Sequence, residues 1–269
     1  MTQMSKKSGF TIIELMLSMA FISVLLLSIV MISIQAGKMY NRGAVLRSLN
    51  QSARDVGDVM RRDFLQANRQ QLMTERSGED LAGVSRDGLV LKITNGLAES
   101  GRFCLGQYSY LWNTAKTLDQ ISDEDDLSTN PAVVTVDGQP INFVRVADPD
   151  GALCKQVAGP DNNRYPHALN PDGNITSLLK QPIDKDDVVL SVYNLRVVPL
   201  VDRGDEGLFK ISYMVGTSKA SEIASSEDEE GAPVINTMDQ TCKPPNQDES
   251  NFDFCAINNF EMIVRTNGQ

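Results

Sequence analysis

The residues whose types could do chemistry are few. They are Glu14 inside an apolar run, four cysteines, a lone histidine and two acidic runs. His167 stands between Pro166 and Ala168, with no neighbour that would make a triad or a metal pair. The chain has no Gly-rich phosphate loop, GxSxG elbow or HExxH pair, so no catalytic constellation is expected and the chain reads as a non-enzyme. Cys104, Cys154, Cys242 and Cys255 form no CxxC pair, which argues against zinc. Asp123-Glu-Asp-Asp126 and Glu227-Asp-Glu-Glu230 carry the hard oxygen ligands that suit calcium, as does Asp161-Asn-Asn163. Neither acidic run has the spaced ligands and central glycine of an EF-hand, so solvated loops are the plainer reading and no cofactor is expected. Asp148-Pro-Asp-Gly151 and Asn170-Pro-Asp-Gly173 read as turns. A net charge of −10 over 269 residues gives no general basic face, so nucleic-acid binding is not indicated.

Glu14 is the hardest of these residues to explain. From Phe10 to Gln35 it is the only formal charge. A helix of that length, rising about 1.5 Å per residue, spans the roughly 30 Å hydrocarbon core of a bilayer. The run is too long for a cleaved secretory signal, and Ile34 spoils a small-x-small cut after Ala36. A simple membrane anchor fits the length but leaves a carboxylate in lipid, at a cost of about 2.5–3.5 kcal/mol on insertion scales. No Lys, Arg or His lies within reach of it on the same helix. A charge in that setting needs a partner or a function.

Lys6-Lys7-Ser8-Gly9 followed by Phe10-Thr-Ile-Ile-Glu14-Leu15 closely resembles the class III signal of type IV prepilins and type II secretion pseudopilins. The resemblance implies a prepilin peptidase that cuts between Gly9 and Phe10 on the cytoplasmic side and then methylates the amine of Phe10. It also implies that Glu14 pairs with the N-terminal amine of a neighbouring subunit during assembly, which relieves much of the cost of a buried charge. Lys6 and Lys7 favour a cytoplasmic N-terminus, whereas Lys38, Arg42 and Arg47 beyond the span leave charge alone undecided. The expected partners are therefore other pilins, the prepilin peptidase, an inner-membrane assembly platform and, before assembly, membrane lipid. The expected place is the cytoplasmic membrane in a single pass, then an extracellular pilus.

Beyond Gln35 the helix signal continues but becomes one-sided. Met39, Val45, Leu46, Leu49, Ala53, Val56, Met60, Phe64 and Leu65 recur at helical steps, with Arg42, Arg47, Arg54, Asp55, Asp58, Arg61, Arg62 and Asp63 between them. No proline occurs before Pro131, so one helix from Phe10 to about Met73, roughly 90–95 Å long, is expected. Gly37, Gly43 and Gly57 are its weak points. The stretch from Val59 to Ala67, with Arg62-Asp63-Phe64, resembles the helix end of W-type minor pilins and J-type pseudopilins.

The remainder is rich in turns and short apolar runs. Strands are expected at Gly88–Thr94, Gly101–Trp112, Ala132–Val136, Ile141–Ala147, Val188–Leu200, Gly207–Gly216 and Asn259–Thr266, the fifth and sixth forming a hairpin. Tyr108, Tyr110 and Trp112 could form a binding face, though half-core positions are commoner on an alternating strand. Residues 217–258 read as a long surface excursion. In an exported domain four cysteines suggest two disulfides. Three pairings are open, and proximity favours Cys104–Cys154 with Cys242–Cys255.

The expected fold is α+β: a long N-terminal helix on a mostly antiparallel sheet, the architecture the resemblance implies. The expected division is a leader over 1–9, a membrane or filament-core helix over 10–36, an amphipathic half over 37–73 and an exported β-rich domain over 74–269. The expected function is a minor pilin, since a bulky domain packs poorly in thousands of copies. Retention of Glu14 argues against the first tip position. The alternatives are a J-type pseudopilin of a type II secretion system, and a bitopic membrane-anchored adhesin or receptor that never leaves the membrane.

Overall fold

Thr11 starts the first helix and Ala67 ends it. The computed structural model describes residues 10–67, 72, 83–120, 130–157, 165–179, 189–200, 207–217, 223–224, 226–227, 233–234, 241–243 and 254–267. Helix α1 runs unbroken over Ile12–Gln66, 55 residues, or about 82 Å at 1.5 Å per residue. It stops short of the expected end at 73 because Ala67 turns extended, with ψ 140°.

The fold is α+β, as expected, and the domain is built on two antiparallel sheets. The larger comprises β1 (Val84–Asp87), β2 (Val90–Asn95), β3 (Ala98–Cys104), β4 (Tyr108–Asn113), β7 (Phe143–Ala147) and β9 (Ile175–Ser177), adjacent in that order. The strand expected over Gly101–Trp112 is thus two strands. Gly106, with φ 89°, turns the chain between them, and the Leu105 N–H closes the turn on the Tyr108 carbonyl at 2.8 Å. Two-residue strands β5 (Thr135–Val136), β6 (Gln139–Pro140) and β8 (Ala168–Leu169) form a small separate sheet. Only β5 survives of the strand expected over Ala132–Val136.

The second sheet has the order β10 (Leu190–Pro199), β11 (Leu208–Thr217), β16 (Ile257–Arg265). Its first two strands are the expected hairpin, interrupted by a register shift between Val192 and Asn194. Within the expected excursion, β12 (Ile223–Ala224) pairs with β15 (Thr241–Cys242), and β13 (Ser226–Glu227) with β14 (Pro233–Val234). A short helix α2 (Ala115–Gln120) follows β4. One core joins the C-terminal half of α1 to both sheets. Leu49, Val56, Met60 and Phe64 meet Phe103, Tyr110, Trp112 and Phe143 from one sheet, and Leu195, Phe209, Ile211 and Val264 from the other. Tyr110 and Trp112 are fully buried core, so they form no exposed binding face.

Candidate functional site: the helix and its anchorage

At its start α1 carries a capping box. The Thr11 hydroxyl accepts from the Glu14 N–H at 3.3 Å, and Glu14 Oε2 accepts from the Thr11 N–H at 3.5 Å. The cap satisfies donors that an apolar helix start would otherwise leave open. A Thr followed three residues later by Glu, just before an apolar run, is the sequence signature of this cap. Phe10 lies outside the helix and is 85% exposed; Gly9 lies outside the described residues.

From Phe10 to Tyr40 every residue is exposed. The apolar window of the helix is wholly uncovered, and by length and composition it could cross a membrane. The four serines there do not spoil that surface. Ser18, Ser23, Ser28 and Ser33 donate to the carbonyls of Leu15, Met19, Val24 and Ile29 at 2.8–2.9 Å. Each hydroxyl is thereby satisfied within its own helix, as a lipid or dry protein environment demands.

The other end is locked into the domain. Leu49, Ala53, Val56, Met60 and Phe64 form the buried stripe, spaced four, three, four and four residues apart. Asp63, expected among the polar residues between stripe positions, is instead 2% exposed. Arg145 on β7 grips its carboxylate through Nε at 2.5 Å and Nη2 at 3.0 Å, and the Tyr110 hydroxyl donates to it at 2.5 Å. Arg145 also lies 3.3 Å over the Tyr108 ring. Burial, and then the hydrogen bond to Asp63, push the Tyr110 hydroxyl well above the usual phenol range. Burial opposes the charge on Arg145, but the Asp63 carboxylate outweighs it and holds the guanidinium protonated. The sequence signal for this pair is an arginine at the centre of an apolar strand, Phe143-Val-Arg-Val-Ala147.

Gly57 belongs to the same anchorage. The Tyr213 hydroxyl donates to the Ala53 carbonyl at 2.8 Å, and a Cβ on Gly57 would come within 2.9 Å of that hydroxyl oxygen. Gly57 is therefore a packing residue rather than a weak point. Burial pushes the Tyr213 phenol up to about 12.

The remaining candidates are dispersed. Cys104 is bonded to Cys154 and Cys242 to Cys255, tying β3 to the turn after β7 and β15 to the start of β16. Asp148 is consumed locally, accepting from the N–H groups of Ala152 and Leu153 at 2.9 and 3.0 Å and from the Ser109 hydroxyl at 2.7 Å. Asn170 closes its own turn, its side chain accepting from the Asp172 N–H at 3.1 Å. Arg102 is wholly buried. It donates through Nη1 to the carbonyls of Leu153 and Pro166 at 2.8 and 2.7 Å, and burial lowers its pKa to about 10. His167 is pushed below the usual imidazole range by burial and by the nearby Arg102 charge. Residues 121–129, 158–164 and 228–230, which hold most of the acidic and Asp-Asn positions, lie outside the described residues. Among the described residues no group of three or more His, Cys, Asp or Glu could hold a metal ion. No family model, no curated protein and no solved structure matches the chain.

Proposed function

We propose that the chain is a minor pilin of a type IV pilus. A prepilin peptidase cuts it between Gly9 and Phe10 and methylates Phe10; α1 holds it in the cytoplasmic membrane and then packs inside a filament. The observation that carries this reading is a single unbroken helix with its first half uncovered and its second half locked under the domain. Such an element suits a subunit whose first half trades lipid for neighbouring helices while the domain stays outside. The junction at Gly9 and Phe10 supports a processed subunit over a plain anchor. Glu14 then has two roles that can be separated: cap of its own helix, and counter-charge for a neighbour's amine.

The test is co-expression with a prepilin peptidase, read by mass spectrometry. The chain should lose its nine leader residues and carry a methyl group on Phe10; a full-length chain beside correctly cut prepilins rejects the reading. Glu14→Gln keeps an acceptor for the capping box but removes the charge. Glu14→Ala removes both. Both variants should be cut and both should incorporate poorly. Normal incorporation of Glu14→Gln would leave the residue a helix cap only.

A further inference from the structure

The two edges of the β10–β11–β16 sheet are treated differently. The β10 edge is occupied: the Val197 carbonyl accepts from the Leu89 N–H at 2.8 Å, Asn142 donates to the Leu190 carbonyl at 3.1 Å, and Val192 bridges to Thr114. On the other side, the Thr217 N–H bonds the Ala256 carbonyl and the Thr266 N–H bonds the Gly207 carbonyl, both at 2.9 Å. These two bonds set the parity of the ladder. Even-numbered residues of β16 exchange hydrogen bonds with β11, and residues 257, 259, 261, 263 and 265 aim their backbone groups away from it. Of these the Asn259 N–H is capped by its neighbour, Asn258 Oδ1, at 2.9 Å. The outward groups of Glu261, Ile263 and Arg265 meet no partner among the described residues.

Exposed edges are usually kept short, bulged or blocked by proline or lysine. The edges of the larger sheet follow that rule, β1 with four residues and β9 with three. By contrast β16 has nine residues in unbroken register and no proline. Its one acid is neutralised on its own sheet, Lys210 reaching Glu261 at 2.9 Å. Phe260 and Met262 are half-buried toward α1, and on the other face Ile263, 60% exposed, stands between Glu261 and Arg265. Outward donors and acceptors that alternate along a strand, with no partner among the described residues, present the pattern that an extended polypeptide matches.

We propose that the β16 edge takes a strand from the subunit packed against α1, extending the sheet across the subunit boundary. This rests on the filament reading. The neighbour is chosen by position, since Asn258 at the head of β16 bonds Asn50 at 2.8 Å, just where α1 passes from its open half to its buried half. A subunit covering the open half reaches this edge first.

Ile263→Pro in the full-length chain tests it. The substitution removes an outward N–H and leaves the bonds to β11 in place, the setting in which edge strands accept proline. Its unfolding transition should stay near that of the parent, while its content in filaments falls by about tenfold if backbone pairing carries the contact. A folded variant that incorporates at the parental ratio overturns the proposal. Ile263→Cys gives a reading independent of proline's effect on folding: it should cross-link to another pilin-like subunit far more than Ser177→Cys on the β9 edge. Equal yields, or an adduct with a protein of another class, overturn it. If the parent chain never enters filaments, the filament reading is what fails. The edge is then judged from the Ile263→Cys variant in membranes, where an adduct with a second helix-anchored chain supports it and the lack of one rejects it.

Discussion

The two halves of α1 share one backbone ladder and differ in almost everything else. The first half has an apolar surface on all sides, hydroxyls bonded to its own backbone and no buried residue along its length. The second has a single apolar stripe, a buried carboxylate and a glycine placed to receive a tyrosine hydroxyl. A surface that must be compatible with lipid can be built from any large apolar side chains. A surface that must seat on one domain in one register needs directional contacts, and Asp63, Gly57 and Tyr213 supply them. All-round apolarity is specified loosely, domain docking tightly.

Removing Arg145 should damage the second half most severely. Arg145→Met leaves the Asp63 carboxylate buried with only the Tyr110 hydroxyl. The expected loss is about 3–5 kcal/mol in denaturant unfolding of the full chain in micelles. A loss of only a few tenths would mean the pair is more solvated than its burial implies. An apolar replacement in the first half, Ile29→Ala, should leave the same transition within about 0.5 kcal/mol.

Two glycines carry the same contrast at a smaller scale. Alanine suits a helix better than glycine by about 1 kcal/mol, and a Cβ at Gly43 meets nothing within 4 Å. Gly43→Ala should therefore hold or raise helix stability. Gly57→Ala gains the same propensity but drives Tyr213 off the Ala53 carbonyl, so it should lower domain stability by about 1 kcal/mol. Opposite signs for the two variants are the expected readout, and like signs would dissolve the distinction.

The smallest effect concerns the domain away from the helix. The folded pKa of His167 lies below its ordinary value of 6.5. As pH falls through 6.5, the unfolded chain takes up the proton before the folded one, so stability declines with falling pH from there down to the folded pKa. No such loss applies above 6.5. His167→Gln should flatten this slope slightly relative to the parent; an unchanged slope would remove His167 as a contributor.

Much of this arrangement is legible along the chain. The apolar run, the stripe at helical spacing, the hairpin of β10 and β11 and the near-neighbour cysteine pairs all follow from local periodicity and proximity. Asp63 is not legible, because a charged residue beside Arg61 and Arg62 reads as part of a solvated face. Its environment depends on Arg145, 82 residues away. The turn at Gly106 is hidden because the residues on both sides, Phe103 and Tyr110, suit one continuous strand equally well. The cap on α1 is written in Thr11 and Glu14, but the charge of Glu14 draws attention away from its backbone role.

The N-terminal element is a property of local residue types: its length, its all-round apolarity and its cap are all set within a few turns of chain. Where that helix stops being free, which carboxylate is buried and which sheet edge lacks a partner among the described residues emerge only on folding. These depend on residues far apart in the chain meeting at hydrogen-bond distance, and no local pattern encodes that meeting.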